Sequence, residues 1–256
     1  MSMMLIDQTK DSVCKTAEAD AIRAKTGGSA QIVYDWENNK GFADAIDAIP
    51  SGGDPWEKLL TVSANALTSL PSSSGLTHIR DYLFFHCGNL TNVDFSNISY
   101  VGEYSFSRCL VANDAVFEVP TAFWPQCFQR TRIPKVVAKK GTDRIDIYCF
   151  EQNSYLEAVD VSITSRSWSA LNGIRASAFG GCPNLNALIL RQDFFVSINT
   201  ALPSNCGLST SGNIYVPSAL VATYKAATNW STYADRILPI EGSYYETHWA
   251  NGEAIA

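Results

Sequence analysis

Nowhere in its 256 residues does the chain hold an apolar run near the roughly 18 residues a membrane-spanning helix needs, so membrane insertion is not expected. Charge is sparse as well: 17% of residues are charged and the net charge is -6. That balance argues against a phosphate-binding surface over much of the protein, and no nucleic-acid partner is expected. The one basic stretch, RTRIPKVVAKK at 130–140, interleaves its cations with Ile133, Val136 and Val137 and reads as a strand with solvated ends. Histidine occurs only as His78, His86 and His248, without H-x-x-x-H spacing. There is no G-x-S-x-G, no Walker-type loop and no G-x-G-x-x-G, and the carboxylates are scattered. The expectation is therefore no catalytic residue, no cofactor and no metal. The opening MSMMLIDQTKDSVCK lacks a basic start followed by an apolar stretch, so no secretory signal is expected, and folding in a reducing cytoplasm is. Sequons at Asn89, Asn97 and Asn229 then read as chance matches.

What the chain does have is hydrophobic residues, 46% of the total, and seven cysteines. The cysteines are odd in number, widely spaced and never C-x-x-C, which weakens both a zinc site and a disulfide framework. Their positions follow an internal repeat instead. IRASAFGGCPNL sets Phe179, Cys182 and Leu185 behind Ile174. IRDYLFFHCGNL repeats this as Ile79, Phe84, Cys87 and Leu90, and VGEYSFSRC as Val101, Phe106 and Cys109. Val119, Trp124 and Cys127 form a third copy with Trp in the Phe slot. Ile145, Phe150 and Leu156 form another, with Asn153 in the Cys slot, and Ile198 to Cys206 a worn sixth. Beyond the Leu, the better copies share L-x-x-hydrophobic-x-hydrophobic: Leu90, Val93, Phe95; Leu156, Val159, Val161; Leu185, Leu188, Leu190.

This pattern has a physical reading. Phe, Cys and Leu three residues apart share one face of a tight helical or 3-10 turn, and the closing alternation points two apolar side chains inward from a short strand. One repeat cannot bury its own apolar face, so neighbours stack around a common core. The thiol serves there as a small hydrophobe, and Cys87, Cys109, Cys127 and Cys182 are expected to form a buried column. Phe84, Phe106, Trp124, Phe150 and Phe179 are the matching aromatic core positions. Tyr100, Tyr104, Trp168, Tyr244, Tyr245 and Trp249 fall outside the inward slots and are the candidate contact residues for a partner or host surface.

IRDYLFFHCGNLTNVDF and IRASAFGGCPNLNALIL resemble the cysteine-bearing leucine-rich repeats of BspA-type bacterial surface proteins. The resemblance implies an α/β repeat fold: a right-handed leucine-rich-repeat solenoid of short strands and helical or 3-10 turns, used for adhesion or protein binding. Residues 54–216 would form it. The segment before it, ADAIRAKTGGSAQIVYD leading to GFADAIDAIPSGG, reads as two short helices ending at Pro50. It resembles a segment recurring in tail and fibre proteins of bacteriophages, which makes 1–53 an attachment or oligomerisation module. Residues 217–256 would close the array as a C-terminal cap and tail, with a last strand at Ile214 and Val216 and a helix from Ser218 to about Ala227. Together these imply a non-enzymatic virion protein (tail fibre, receptor-binding or decoration protein) assembled in the host cytoplasm. Its expected partners are other virion proteins, a host cell-surface protein or glycan, and further copies of itself in a homo-oligomer such as a trimer. The alternative is a bacterial cell-surface adhesin or interaction module, and an enzyme ranks third.

Overall fold

Short apolar alternations separated by tight turns fold here as short strands that pair with their counterparts in the next repeat. The computed structural model describes residues 67–70, 74–164 and 173–256. The helices expected within 1–53, and Trp168, lie outside the described residues. Twelve strands follow in chain order: β1 Ser69–Leu70, β2 His78–Ile79, β3 Asn92–Val93, β4 Tyr100–Val101, β5 Ala115–Phe117, β6 Thr121–Phe123, β7 Lys135–Ile145, β8 Ala158–Ile163, β9 Gly173–Ile174, β10 Ala187–Leu190, β11 Asn213–Val216 and β12 Ile237–Pro239. Every pair formed between these strands is parallel. The L-x-x-hydrophobic-x-hydrophobic segments after Leu156 and Leu185 lie in β8 and β10, which share a row with β5, β7, β11 and β12 and the inward ladder Ala115, Val136, Val159, Leu188, Ile214, Ile237. The segment after Leu90 lies in β3, which pairs with β1 in a separate two-stranded sheet. The aliphatic residues that open each repeat pair as β2, β4, β6, β7 and β9. This repeat-rich parallel sheet with few short helices fits a leucine-rich-repeat type of fold.

Strand β7 serves both rows, and Gly141 is where it turns from one to the other. Its φ is +84°, and a Cβ there would stand 2.8 Å from the Ser162 carbonyl oxygen and 2.6 Å from Thr164 Cγ2. The register to β8 shifts between Ala138 and Thr142, on either side of this corner. Only glycine meets both demands without displacing β8.

The core is organised as files that run across the repeats. Phe84, Phe106, Phe128, Phe150 and Phe179 stack face to face, with successive ring centroids 5.2, 5.6, 5.8 and 6.0 Å apart. Phe95 and Phe123 pack against this column at steep angles, and Phe117 packs on both of them. The third member is Phe128, not Trp124. Trp124 lies off the column, half-buried, with Tyr100 on one side and Arg144 on the other. The third repeat therefore opens at Phe123 rather than Val119, paired with Val101 before it and Ile145 after it. Trp124 and Phe128 of FWPQCF compete for the stacked slot, and stacking selects the one that keeps a 22-residue step, as in the neighbouring Cys127–Cys149 contact.

That correction divides the cysteines into two files. The slot three residues after the stacked Phe holds Cys87, Cys109, Thr131, Asn153, Cys182 and, in the worn sixth repeat, Cys206, all buried. Cys127 is not among them. It sits beside Cys149 in a separate position one residue before the stacked Phe, with the two Sγ atoms 3.2 Å apart.

The turns between the two rows use an unusual backbone. In four repeats two residues adopt left-handed φ: Tyr82 and His86, Tyr104 and Arg108, Gln126 and Arg130, Tyr148 and Gln152. None is glycine, although such φ values cost an ordinary residue about 1 kcal/mol or more. Alternate amides thereby aim at the next repeat: Tyr82, Phe84 and His86 donate to the carbonyls of Glu103, Ser105 and Ser107, and Gln126, Phe128 and Arg130 to those of Ile147, Cys149 and Glu151. The intervening amides close tight turns within their own repeat, as Cys87 N–H does on Phe84 O.

Past β11 the chain makes a 3-10 turn Ser218–Leu220, a helix α1 over Val221–Ala226 and a 3-10 segment Ser231–Arg236. The strand row ends at β12, not at Ile214 and Val216, because Ile237 continues the inward ladder. Tyr224 and Trp230 are fully buried here, and their polar ends are satisfied by Gln192, Val196 N–H and Val196 O.

Candidate functional site

The thiols are the most reactive side chains of the repeats, so their state comes first. Cys109 Sγ donates to Phe84 O at 2.7 Å, and Cys182 Sγ to Phe150 O at 3.0 Å. In both cases the slot cysteine bonds the carbonyl of the stacked Phe one repeat earlier. Burial pushes the thiols of Cys109, Cys149 and Cys206 above their usual range, and that of Cys182 up to about 12. A thiol held protonated and enclosed is neither nucleophile nor ligand. Among the described residues no group of three or more His, Cys, Asp or Glu side chains could hold a metal ion.

The residues expected to face a partner end in different environments. Tyr104 is buried, with only 6% of its surface exposed, because its left-handed backbone lays the ring flat on Tyr82 at 4.9 Å. It is therefore a packing residue and not a contact residue. Tyr100 is half-buried in a row with His78 and Trp124, and its hydroxyl donates to Asp81 at 3.5 Å. Burial and the nearby Asp81 carboxylate push that phenol up to about 12.

Tyr245 and Trp249 belong to a tail that folds back over the outer side of the main strand row. The outward ladder Val116, Val137, Asp160, Ile189, Tyr215, Leu238 alternates with the inward one. Val137, Ala158, Ala187, Ile189, Ile240 and Ala250 form a second apolar cluster, with Tyr215, Tyr245 and Trp249 packed on it. A charged clasp fixes the tail. Arg191 Nε and Nη2 reach Asp160 at 2.6 and 2.8 Å, and the same guanidinium donates to Tyr245 O at 2.8 Å and His248 O at 3.0 Å. Trp249 covers the guanidinium at 4.6 Å, and Ala250 N–H donates to Asp160 Oδ2, the oxygen that also accepts from Arg191 Nη2, at 3.0 Å. Burial raises the Asp160 carboxyl, against the opposing pull of Arg191. Lys139 ties the edge by bonding both Glu118 and Glu253. The tail thus covers the outer side of the strand row. Tyr244 remains 55% exposed at its rim, stacked on His248.

A different surface was missed in the aromatic survey. On the ridge formed by the turns, left-handed His86, Arg108, Arg130 and Gln152 follow one another in successive repeats. Arg108 Nη1 donates to His86 Nε2 at 2.9 Å, and Arg130 Nε to Gln152 Oε1 at 2.7 Å. Arg132 is exposed two residues on, with its guanidinium 5.7 Å from the ring of Tyr155. That ring is 53% exposed. The basic stretch 130–140 is therefore divided: its lysines lie in β7, while Arg130 and Arg132 precede the strand and face solvent. The signal was the pair of arginines flanking buried Thr131, which a strand reading absorbed.

Comparison with known families matches one model, described as a BspA type leucine rich repeat region, in six copies over residues 62–157 and 121–225. No curated protein matches the chain. The matched spans contain the Phe column, the cysteine slot and the arginine ridge. They end before the tail that covers the strand row.

Proposed function

Since the chain belongs to the BspA-type leucine-rich-repeat family, we propose that it is a non-enzymatic adhesion or protein-interaction module displayed on a surface. The repeats would form a right-handed solenoid over 54–216, closed by 217–256 as a C-terminal cap, with 1–53 as a small helical attachment or oligomerisation module. The observation that carries the reading is the division of labour in each repeat. Aromatic, thiol and aliphatic positions point into shared files, and the turn positions between the strand rows carry residues that face outward. Such a stack offers an extended, rigid surface, which is what adhesion needs.

Two settings fit. In the first the protein is a virion component, a tail fibre, receptor-binding or decoration protein, and binds a host protein or glycan as a homo-oligomer. The phage-like character of residues 7–53 favours it. In the second it sits on a bacterial cell envelope, which the repeat family favours equally. Immunogold labelling of purified particles and of whole cells separates them: label on the particle supports the first, label on the envelope alone the second. Label on neither, together with no adherence of the purified chain to any surface, overturns the adhesion reading. A glycan-hydrolysis screen showing turnover abolished by one carboxylate substitution would overturn the non-enzymatic part.

A further inference from the structure

We propose that Cys127 and Cys149 are a disulfide site: under oxidising conditions the two thiols join and staple the third repeat to the fourth. The inference goes beyond the adhesion reading and does not depend on it. Both thiols are free and buried, and their Sγ atoms stand 3.2 Å apart. The backbone holds them there. Gln126, Phe128 and Arg130 N–H donate to the carbonyls of Ile147, Cys149 and Glu151 at 3.1, 2.9 and 2.9 Å, which sets Cys127 opposite Cys149. Coils bonded in this way stand at about the 4.8 Å spacing of paired strands. That lies inside the ~4.4–6.8 Å between Cα atoms that a disulfide spans. The rings next in sequence, Phe128 and Phe150, stack 5.8 Å apart at 2° and fix the two coils against sliding. From 3.2 Å the sulfurs have about 1.2 Å left to close before they reach bonding distance, a displacement that side-chain rotation supplies.

Geometry also selects this pair over the other thiols. Cys87 and Cys109 neighbour each other in the slot file, but Cys109 Sγ donates to Phe84 O at 2.7 Å. Cys182 Sγ likewise donates to Phe150 O at 3.0 Å. Those thiols are directed at carbonyls, whereas Cys127 and Cys149 bond each other. Their file, one residue before the stacked Phe, continues as Ser105 on one side and Ala178 on the other, both buried. No third cysteine of that file adjoins the pair. The step consumes one small disulfide of the glutathione class. One cysteine loses its proton and attacks a sulfur of the small disulfide, forming a mixed disulfide and expelling a thiolate that takes up a proton. The second cysteine loses its proton and attacks the protein sulfur of the mixed disulfide, so the Cys127–Cys149 bond forms and a second small thiol leaves. Two electrons pass from the cysteines to the small disulfide, which ends as two thiols. Burial pushes the Cys149 thiol up, so the closed fold exchanges slowly and the reaction runs through the open coil, during folding or local opening.

The test refolds the full chain from urea in mixed reduced and oxidised glutathione, and in parallel under a phosphine reductant. Free thiols are alkylated in denaturant and counted by mass. The unreduced product is then cut with trypsin and Glu-C, which separate Cys109 from Cys127 at Glu118. The expected result is that two of the seven thiols are lost and that Cys127 and Cys149 appear in one linked peptide pair. The urea midpoint of the oxidised chain should lie about 1 M or more above that of the reduced chain, because the bond closes the 22-residue span between the two cysteines in the unfolded state. Cys127→Ala and Cys149→Ala should each abolish the linked pair and the midpoint shift, and Cys109→Ala should keep both. Circular dichroism confirms folding, and the wild-type linkage map decides the question if a variant does not fold. Seven free thiols after oxidative refolding, a bond from Cys149 to Cys182, a Cys87–Cys109 bond in its place, or links between chains alone overturns the proposal. So does a linked chain whose midpoint is not raised.

Discussion

Alkaline titration is a direct probe of the thiol files. Cys182 is fully enclosed, its Sγ donates to Phe150 O, and its thiol is pushed up from 9.0 to about 12. A folded-state value above the unfolded one means that the unfolded chain loses its proton first. Stability from this group is therefore complete below about pH 9 and is lost progressively as pH rises toward about pH 12, at roughly 1.4 kcal/mol per pH unit. Between about pH 9 and 10, Cys182 alone removes ~1 kcal/mol, and Cys109, Cys149 and Cys206, raised in the same direction, add to it. Tyr224, also pushed up to about 12, starts from 10.0 and joins only above that window. Urea unfolding under a phosphine reductant at a series of pH values reads the effect. A loss of ~2 kcal/mol corresponds to about 1 M in midpoint at a slope near 2 kcal/mol per molar. Cys182→Ser keeps a donor toward Phe150 O and removes the titrating thiol, so its stability should fall less steeply by the Cys182 share. Identical slopes for wild type and Cys182→Ser between pH 8.5 and 10 would refute the reasoning. Labelling of the native thiols at the rate of free cysteine would refute it too.

Three further substitutions test the packing. Phe128→Ala should cost about 3–5 kcal/mol, the price of emptying a stacked core position, and Trp124→Ala clearly less; the reverse order in thermal melts would restore the register read from sequence. Asp160→Ala strands Arg191 under the tail and should cost ~3 kcal/mol or more, with residues 243–256 becoming the first site of limited proteolysis; an unchanged digestion pattern would show that the clasp does not hold the tail. Gly141→Ala meets both a positive φ and the Ser162 carbonyl. Its melting temperature should fall well below that of Gly88→Ala, whose added Cβ meets nothing closer than 3.9 Å.

Much of the interior was legible because its signals are periodic. The strand segments, the Phe file and most of the cysteine slot follow from residue type at fixed offsets. The third repeat failed because FWPQCF carries two candidates for the stacked slot, Trp124 and Phe128, four residues apart, and periodicity alone cannot choose between them. The tail's position was half legible. Val136-Val137 and Ala187-Leu188-Ile189-Leu190 are continuous apolar runs, which signal a strand buried on both faces, whereas Val159-Asp160-Val161 alternates. The runs said that something covers the outer face, but nothing local said what. Asp160 and Arg191 are 31 residues apart, and their link to Ala250 spans 90. The left-handed turns left no trace in composition, because Tyr, Gln, Arg and His occupy positions where Gly or Asn would have announced them.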